Sequence, residues 1–396
     1  MPSRSSGVDL VRTKWRLGRT APLLIILACP PVAYPQPVPR WPGPLVPHPR
    51  VAVVLPEALP SAELIVTGRA ESLALRGEGE YQAGTAIAKG QWITADFAID
   101  HVVNGACPSQ RVSVLFFHPT DIDSLDFPYQ IQIHRRSLAF LKRKGDAAYS
   151  YELTARVGAI MRLSPTAPEG MHKLPTPFSK LTAEWLAAVQ EEDPEIAVPA
   201  FSALRYFDCA RSDILPVMQK VSSSRHPNIM CEALKTRLWI NDWTALDEIL
   251  SLSRSASVPE RMVALLGGEV CFVRSPDAVP RLKALLNSPN PRIRHGACYA
   301  LSKMGMKSLL PTIAQCLSDP HGDVSFQALV GLIDILVVCK GLEGTPRVPF
   351  TRKDHAEALK AWTAWWEQKG KPIYGTQAEA SPLRAQPDKG PGTGGN

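Results

Sequence analysis

The chain has 396 residues, 45% of them hydrophobic and 20% charged, with 37 prolines, eight cysteines and a net charge of +7. That length and apolar share predict a buried core and more than one domain, and eight cysteines are too few for a disulfide-built scaffold. No run of 18 apolar residues occurs, which excludes a polytopic membrane protein.

The positive charge is concentrated at the start. Residues 1–28 carry Arg4, Arg12, Lys14, Arg16 and Arg19 against Asp9, more than half of the excess. A nucleic-acid binder needs its cations on the binding fold, so no nucleic-acid partner is expected. The same cations precede the apolar run Ala21 to Ala28. A basic stretch followed by a short apolar one is the export pattern, and 1–28 is predicted to be a signal peptide. The next residue is Cys29, in Ile26-Leu27-Ala28-Cys29. That run resembles a bacterial lipobox, which makes Cys29 the candidate lipid-attachment residue. Lipidation and simple cleavage both stay open, with the periplasm, the cell envelope or secretion as the destination. Residues 29–60 include Pro30, Pro31, Pro35, Pro37, Pro39, Pro42, Pro44, Pro47 and Pro49, and read as an extended tether.

Residues 61–160 read as a β domain. Ala62 to Ala70 is apolar and β-branched. Ile93, Ala95, Phe97 and Ile99 alternate with polar neighbours, and Val112, Val114 and Phe116 repeat the pattern beyond the turn signal Asn104-Gly105. Ile131/Ile133, Leu138 to Leu141 and Tyr149/Tyr151/Leu153 are further strand candidates. A small antiparallel barrel or sandwich is predicted. Gly77-Glu78-Gly79 reads as a hairpin turn. The order from Ala62 through Gly68 to Phe140-Leu141 resembles an OB-like barrel of exported bacterial proteins. His134-Arg135-Arg136 with Lys142-Arg143-Lys144 is the one basic spot, read as a solvated hairpin end in preference to an anion site. His101, His118 and His134 lack the local spacing of a zinc site. Asp121 and Asp123 lack the further oxygen ligands of a calcium loop.

After a linker at 161–179 the period becomes helical. Leu181, Trp185, Leu186 and Val189 share one face. An internal repeat follows. Ala200 and Ala297 each have a proline six residues earlier, and the same alanine recurs at Ala233, Ala264 and Ala328. Second helices are predicted to begin near Asp213, Thr244, Asp277 and Lys307. Two helices per period of this size mean a solenoid, here over 180–370. Asn290 to Gly305 and Asp319 to Leu332 resemble HEAT repeats of the kind shared with phycobilisome lyases. The fold class expected is therefore α+β and multidomain, a β barrel or sandwich followed by a HEAT-type α-solenoid.

In such stacks the second helices line the concave face. This makes Gln219, Lys220, Glu248, Lys283 and Gln315 the candidate partner-binding residues. The first helices are expected to bury their alanines with Leu204, Leu234, Leu265 and Leu301. Trp362, Trp365 and Trp366 read as a capping helix in preference to a carbohydrate platform, ended by Gly370 and Pro372. Residues 371–396 are expected to be disordered. Cys209, Cys231, Cys271, Cys298, Cys316 and Cys339 follow the repeat helices as small buried hydrophobes, and Cys107 has no evident mate. After export one or two could pair, and spacing does not choose which. No serine-hydrolase elbow, zinc-protease helix, phosphate loop or dinucleotide fingerprint occurs. The expected function is a non-catalytic protein-binding scaffold or adaptor, with no cofactor and no metal. The alternatives are a lyase-related repeat enzyme acting on a protein-bound chromophore, or an inhibitor built on the OB-like barrel.

Overall fold

The computed structural model describes residues 61–83, 86–119, 131–145, 150–154, 160–207, 209, 211–256, 258–338, 344–346 and 355–375. The predicted signal peptide, Cys29, the tether, Asp121, Asp123, Tyr149, Cys339 and the tail from 376 lie outside the described residues. His48–Asn396 forms one compact unit, and the other unit, Met1–Pro47, lies wholly outside them.

Six strands come first: β1 (Leu64–Ala83), β2 (Ala86–Asn104), β3 (Arg111–Pro119), β4 (Arg136–Arg143), β5 (Ser150–Leu153) and β6 (Ile160–Arg162). β1, β2 and β3 form an antiparallel meander, and β4 pairs antiparallel with β1, β5 and β6. β3 and β5 pair parallel, so the sheet is mixed where an all-antiparallel one was expected. The meander leaves β3 running with β1. The β4–β5 hairpin, with β4 opposed to β1, leaves β5 running the same way. The pairings thus run β1–β2–β3–β5–β4 and return to β1.

Leu64, Val66, Phe97, Val112, Val114, Ala139 and Leu141 share one core. The intervening Ile65, Leu138 and Phe140 enter a second core with Trp185 and Phe201. Both faces of β4 are therefore covered, which is why Leu138 to Leu141 is a continuous apolar run instead of an alternating one. Gly77-Glu78-Gly79 is not a turn. It lies within β1 opposite Trp92, Gln91 and Gly90, beside a register shift between Leu75 and Gly77. Glycine inside a strand marks a bulge as readily as an end. Ile133 forms only an isolated bridge to Ala70.

The helices are α1 (Pro177–Ala188), α2 (Pro194–Tyr206), α3 (Arg211–Val221), α4 (Pro227–Trp239), α5 (Ala245–Leu252), α6 (Glu260–Val270), α7 (Val279–Leu285), α8 (Pro291–Lys303), α9 (Leu310–Gln315), α10 (Gly322–Val338), α11 (His355–Trp365) and α12 (Lys371–Tyr374). Pro194, Pro227 and Pro291 open their helices, where a missing N–H costs nothing. The Asp193 and Asn290 side chains cap α2 and α8 by accepting from the N–H groups of Glu195 and Arg292, each at 2.9 Å. The first helices α2, α4, α6, α8 and α10 pack each on the next, and α3, α5, α7 and α9 follow as second helices.

Ala200, Ala233, Ala297 and Ala328 are fully buried, but the third repeat is out of the expected register. Leu265 is 49% exposed, while Leu266 is fully buried in the place foreseen for Ala264. Glycine is the reason. A Cβ on Gly267 would lie 2.7 Å from the Arg292 carbonyl oxygen, and one on Gly296 would lie 2.2 Å from the Gly267 carbonyl oxygen. The small residues that let α6 and α8 touch are thus Gly267, one position beyond Leu266, and Gly296 on α8.

One core joins the sheet to α1, α2, α3 and the start of α4. Another begins at Met230 in α4 and runs to Tyr374. Trp362, Trp365 and Trp366 are buried in that second core with Leu332, Ile335 and Leu336. The chain does not stop at Gly370. A π-helical turn over Trp366–Gly370 leads into α12, whose first turn tolerates Pro372. Residues 371–375, expected in the disordered tail, are therefore helical. The stretch foreseen as a linker is packed, with Leu163, Ser164 and Met171 buried.

Candidate protein-interaction surface

Arg136 is where the sequence expectation fails most instructively. His134, Arg135, Lys142, Arg143 and Lys144 are exposed, as a hairpin end should be. Arg136 is buried instead. It donates to both carboxylate oxygens of the fully buried Glu184 on α1, and to Asp100 on β2 at 3.2 Å. Arg69 donates to Asp100 and to the Pro165 carbonyl, and Arg162 donates to Asp193 and Glu195 at the start of α2. These ion pairs fasten the sheet to the helices and leave no anion site at Arg136. His134 has a left-handed backbone, with φ of 61°. Among the described residues no cluster of His, Cys, Asp and Glu could hold a metal ion.

The second-helix residues differ among themselves. Gln219, Lys220, Lys283 and Gln315 are exposed. Lys220 donates to the Gln190 side chain at 3.2 Å. Glu248 is only half-exposed and is not free, because it accepts from the buried Arg237 and from Ser222. Arg237 also donates to Asp242 and Thr244, tying α4 to α5. Burial opposes ionisation of Asp242, yet bonds from Thr244 and Arg237 hold its carboxyl below the usual range. Arg281 on α7 donates to Asp247 on α5 at 2.8 Å.

The first helices carry a ladder of charge. Arg205 on α2 pairs with Glu232 on α4, and Lys235 pairs with Glu232 and with Glu269 on α6. Lys303 on α8 pairs with Asp334 on α10. Burial opposes a low value for the Glu232 carboxyl, but Arg205 and Lys235 hold it down all the same. Sequence spacing alone could have found these pairs, since Lys235 and Glu232 are three residues apart in α4 and the others join successive first helices about one repeat apart.

Arg294 on α8 grips Asp319 with two hydrogen bonds, at 2.7 and 2.9 Å. Burial opposes it, but those bonds, the His321 backbone N–H and the Arg294 charge hold the Asp319 carboxyl below its ordinary value. A depressed carboxyl contributes stability that is complete above its unfolded pKa of about 4 and is lost as pH falls through its folded value. The Tm gap between the parent chain and Asp319→Asn is expected to be steady above about pH 5 and to close below about pH 4. A gap that persists unchanged in acid would show that the ionised carboxylate contributes nothing.

Residues 244–333 match the family model for HEAT repeats. That segment spans α5 to most of α10 and includes both of the runs that resemble such repeats in sequence. Among solved structures the chain is similar to an engineered protein at 16% identity and a TM-score of 0.26, over 40% of this chain and 80% of that one. It is also similar to human deoxyhypusine hydroxylase in complex with glycerol at 12% identity and a TM-score of 0.21, over 48% of this chain and 74% of that one. At such scores neither likeness bears on function. No curated protein matches the chain.

Proposed function

We propose that the chain is a non-catalytic scaffold or adaptor that binds a protein partner along the curved face of a HEAT-type solenoid. The observation that carries this reading is the unbroken stacking of α2, α4, α6, α8 and α10, each with its second helix, around the segment that matches the HEAT repeats. Stacked helix pairs offer long surfaces suited to macromolecules. The sheet, in this reading, is an OB-like barrel. The circuit of pairings through β1 and the parallel β3–β5 contact support that. Export, with Cys29 as the lipid-attachment residue, is proposed from the basic and apolar pattern of residues 1–29.

Partner capture with two paired variants tests the assignment. Lys220→Glu with Lys283→Glu reverses charge on the second helices, and Arg135→Glu with Arg143→Glu does so on the sheet. All four positions are exposed, so each change should cost under ~0.5 kcal/mol of stability. The expected result is loss of the partner from the helical variant and retention by the sheet variant. Loss from the sheet variant alone would make the β region the recognition unit.

A further inference from the structure

Large apolar side chains stand exposed at scattered points of the described residues, but three of them share one face of the first helices. Trp239 ends α4 and is 64% exposed, and Phe272 follows the end of α6 and is 76% exposed. Leu265, within α6, is the third. The charge ladder places them together. Lys235 on α4 meets Glu269 on α6 at 3.4 Å. Trp239 lies one helical turn beyond Lys235, Leu265 one turn before Glu269, and Phe272 three residues after it, so all three border that ion pair. Arg274 extends the face to α8. Its Nη1 donates to the Cys271 and Val273 carbonyls just past the end of α6, and its guanidinium stands 5.5 Å from the ring centre of the half-buried Tyr299. The Lys303 ammonium stands over the same ring, also at 5.5 Å. Single apolar residues are ordinary on a surface, whereas a cluster of them rimmed by charge marks a place of contact.

We propose that Trp239, Leu265, Phe272, Tyr299 and Arg274 form a docking face for an acidic segment of a partner protein that carries apolar side chains. The charges select the acidic partner. Glu269 is engaged by Lys235, Glu232 by Arg205 and Lys235, and Asp334 by Lys303. Glu260, the other acid of α6, lies in its first turn, at the far end from Phe272. Arg274 is exposed and has no carboxylate partner among the described residues. Both of its bonds come from Nη1, so Nε and Nη2 are left to grip an incoming carboxylate by two N–H groups. That carboxylate would also offset the two cations gathered over Tyr299. The apolar part has the composition of an interface anchor, because Trp, Tyr and Arg bury large, rigid surfaces when a partner covers them. The face belongs to the first helices. It is separate from Gln219, Lys220, Lys283 and Gln315 on the second helices, and either surface can fail without the other.

Selecting a randomised peptide library displayed on phage against the folded full chain, then measuring the enriched peptides by fluorescence anisotropy, tests the face. Enriched peptides are expected to combine Asp or Glu with Leu, Phe or Trp. Their Kd should rise roughly tenfold or more for Trp239→Ser with Phe272→Ser and for Arg274→Glu, and should be unchanged for Lys220→Glu with Lys283→Glu. Replacing the acids of a peptide by lysine should weaken its binding to the parent and restore binding to Arg274→Glu. The changed positions are exposed, and far-UV circular dichroism checks that the variants are folded. No enrichment, enriched peptides without acids, undiminished binding by the Trp239 and Phe272 variant, or loss confined to the second-helix variant would overturn the inference. Binding of the parent to phosphatidylglycerol vesicles that Trp239→Ser with Phe272→Ser abolishes would overturn it too, by making the face a membrane contact.

Discussion

Glu184→Ala is expected to lower stability by about 3–5 kcal/mol, the largest effect of any single change considered. The reason lies with the residue left behind. Arg136 is 3% exposed, and its two strongest partners are the Glu184 oxygens. Without them a guanidinium is stranded inside the protein with only Asp100 and the Ser164 carbonyl for company. Water cannot replace the lost carboxylate without opening the contact between β4 and α1. The double change Arg136→Met with Glu184→Leu removes both charges and keeps the volume, so it should be far milder, near neutral or stabilising. Chemical denaturation of the two variants beside the parent measures both. A single mutant within about 1 kcal/mol of the parent would mean that the pair is wetter than its burial indicates.

Gly296→Ala and Gly268→Ala should move stability in opposite directions. Both residues sit in helices, where alanine is intrinsically better than glycine by about 1 kcal/mol. At Gly268 a Cβ meets nothing within 4 Å, so that gain should appear nearly whole, as ~0.5–1 kcal/mol of added stability. At Gly296 the new Cβ would stand 2.2 Å from the backbone oxygen of Gly267 and 3.3 Å from Val270. A backbone atom cannot swing aside as a side chain can, so α6 and α8 must separate. The expected cost is about 1–3 kcal/mol despite the better helix former, as for other overpacked cores. Thermal melts of both variants decide the matter, and a stabilised Gly296→Ala chain would show that the two helices are not in close backbone contact.

Much of this organisation was legible beforehand, for identifiable reasons. The helix starts were readable because Pro194, Pro227 and Pro291 occupy positions where proline is tolerated for a known cause. β2 and β3 were readable because each buries one row of side chains, so their alternation survived into the sequence. The failures cluster where one local rule met a tertiary contact. Gly267 and Gly296 satisfy a demand for smallness that the alanine pattern placed at Ala264, and nothing local reveals which small residue touches a neighbour. Arg136 looked like its exposed neighbours Arg135 and Arg143 because charge carries no sign of burial until its partner, 48 residues away, is known. The candidate surface was legible to a lesser degree. Lys283 and Gln315 follow from repeat spacing alone, whereas the engagement of Glu248 by Arg237 does not.

The two apolar clusters have a consequence for how the molecule comes apart. Their border falls within α4, whose Ile229 and Ala233 belong to the first cluster and whose Met230, Cys231, Leu234 and Leu238 belong to the second, and not at the stretch between sheet and helices. Cooperative opening follows shared burial, so the sheet, α1, α2 and α3 should gain and lose structure together as one foldon. The later pairs form the other, as in arrays whose neighbours stabilise one another in sequence. The hinge of cooperativity is thus a single helix that belongs to both halves, and the sheet should open together with the first helix pairs instead of separately from them.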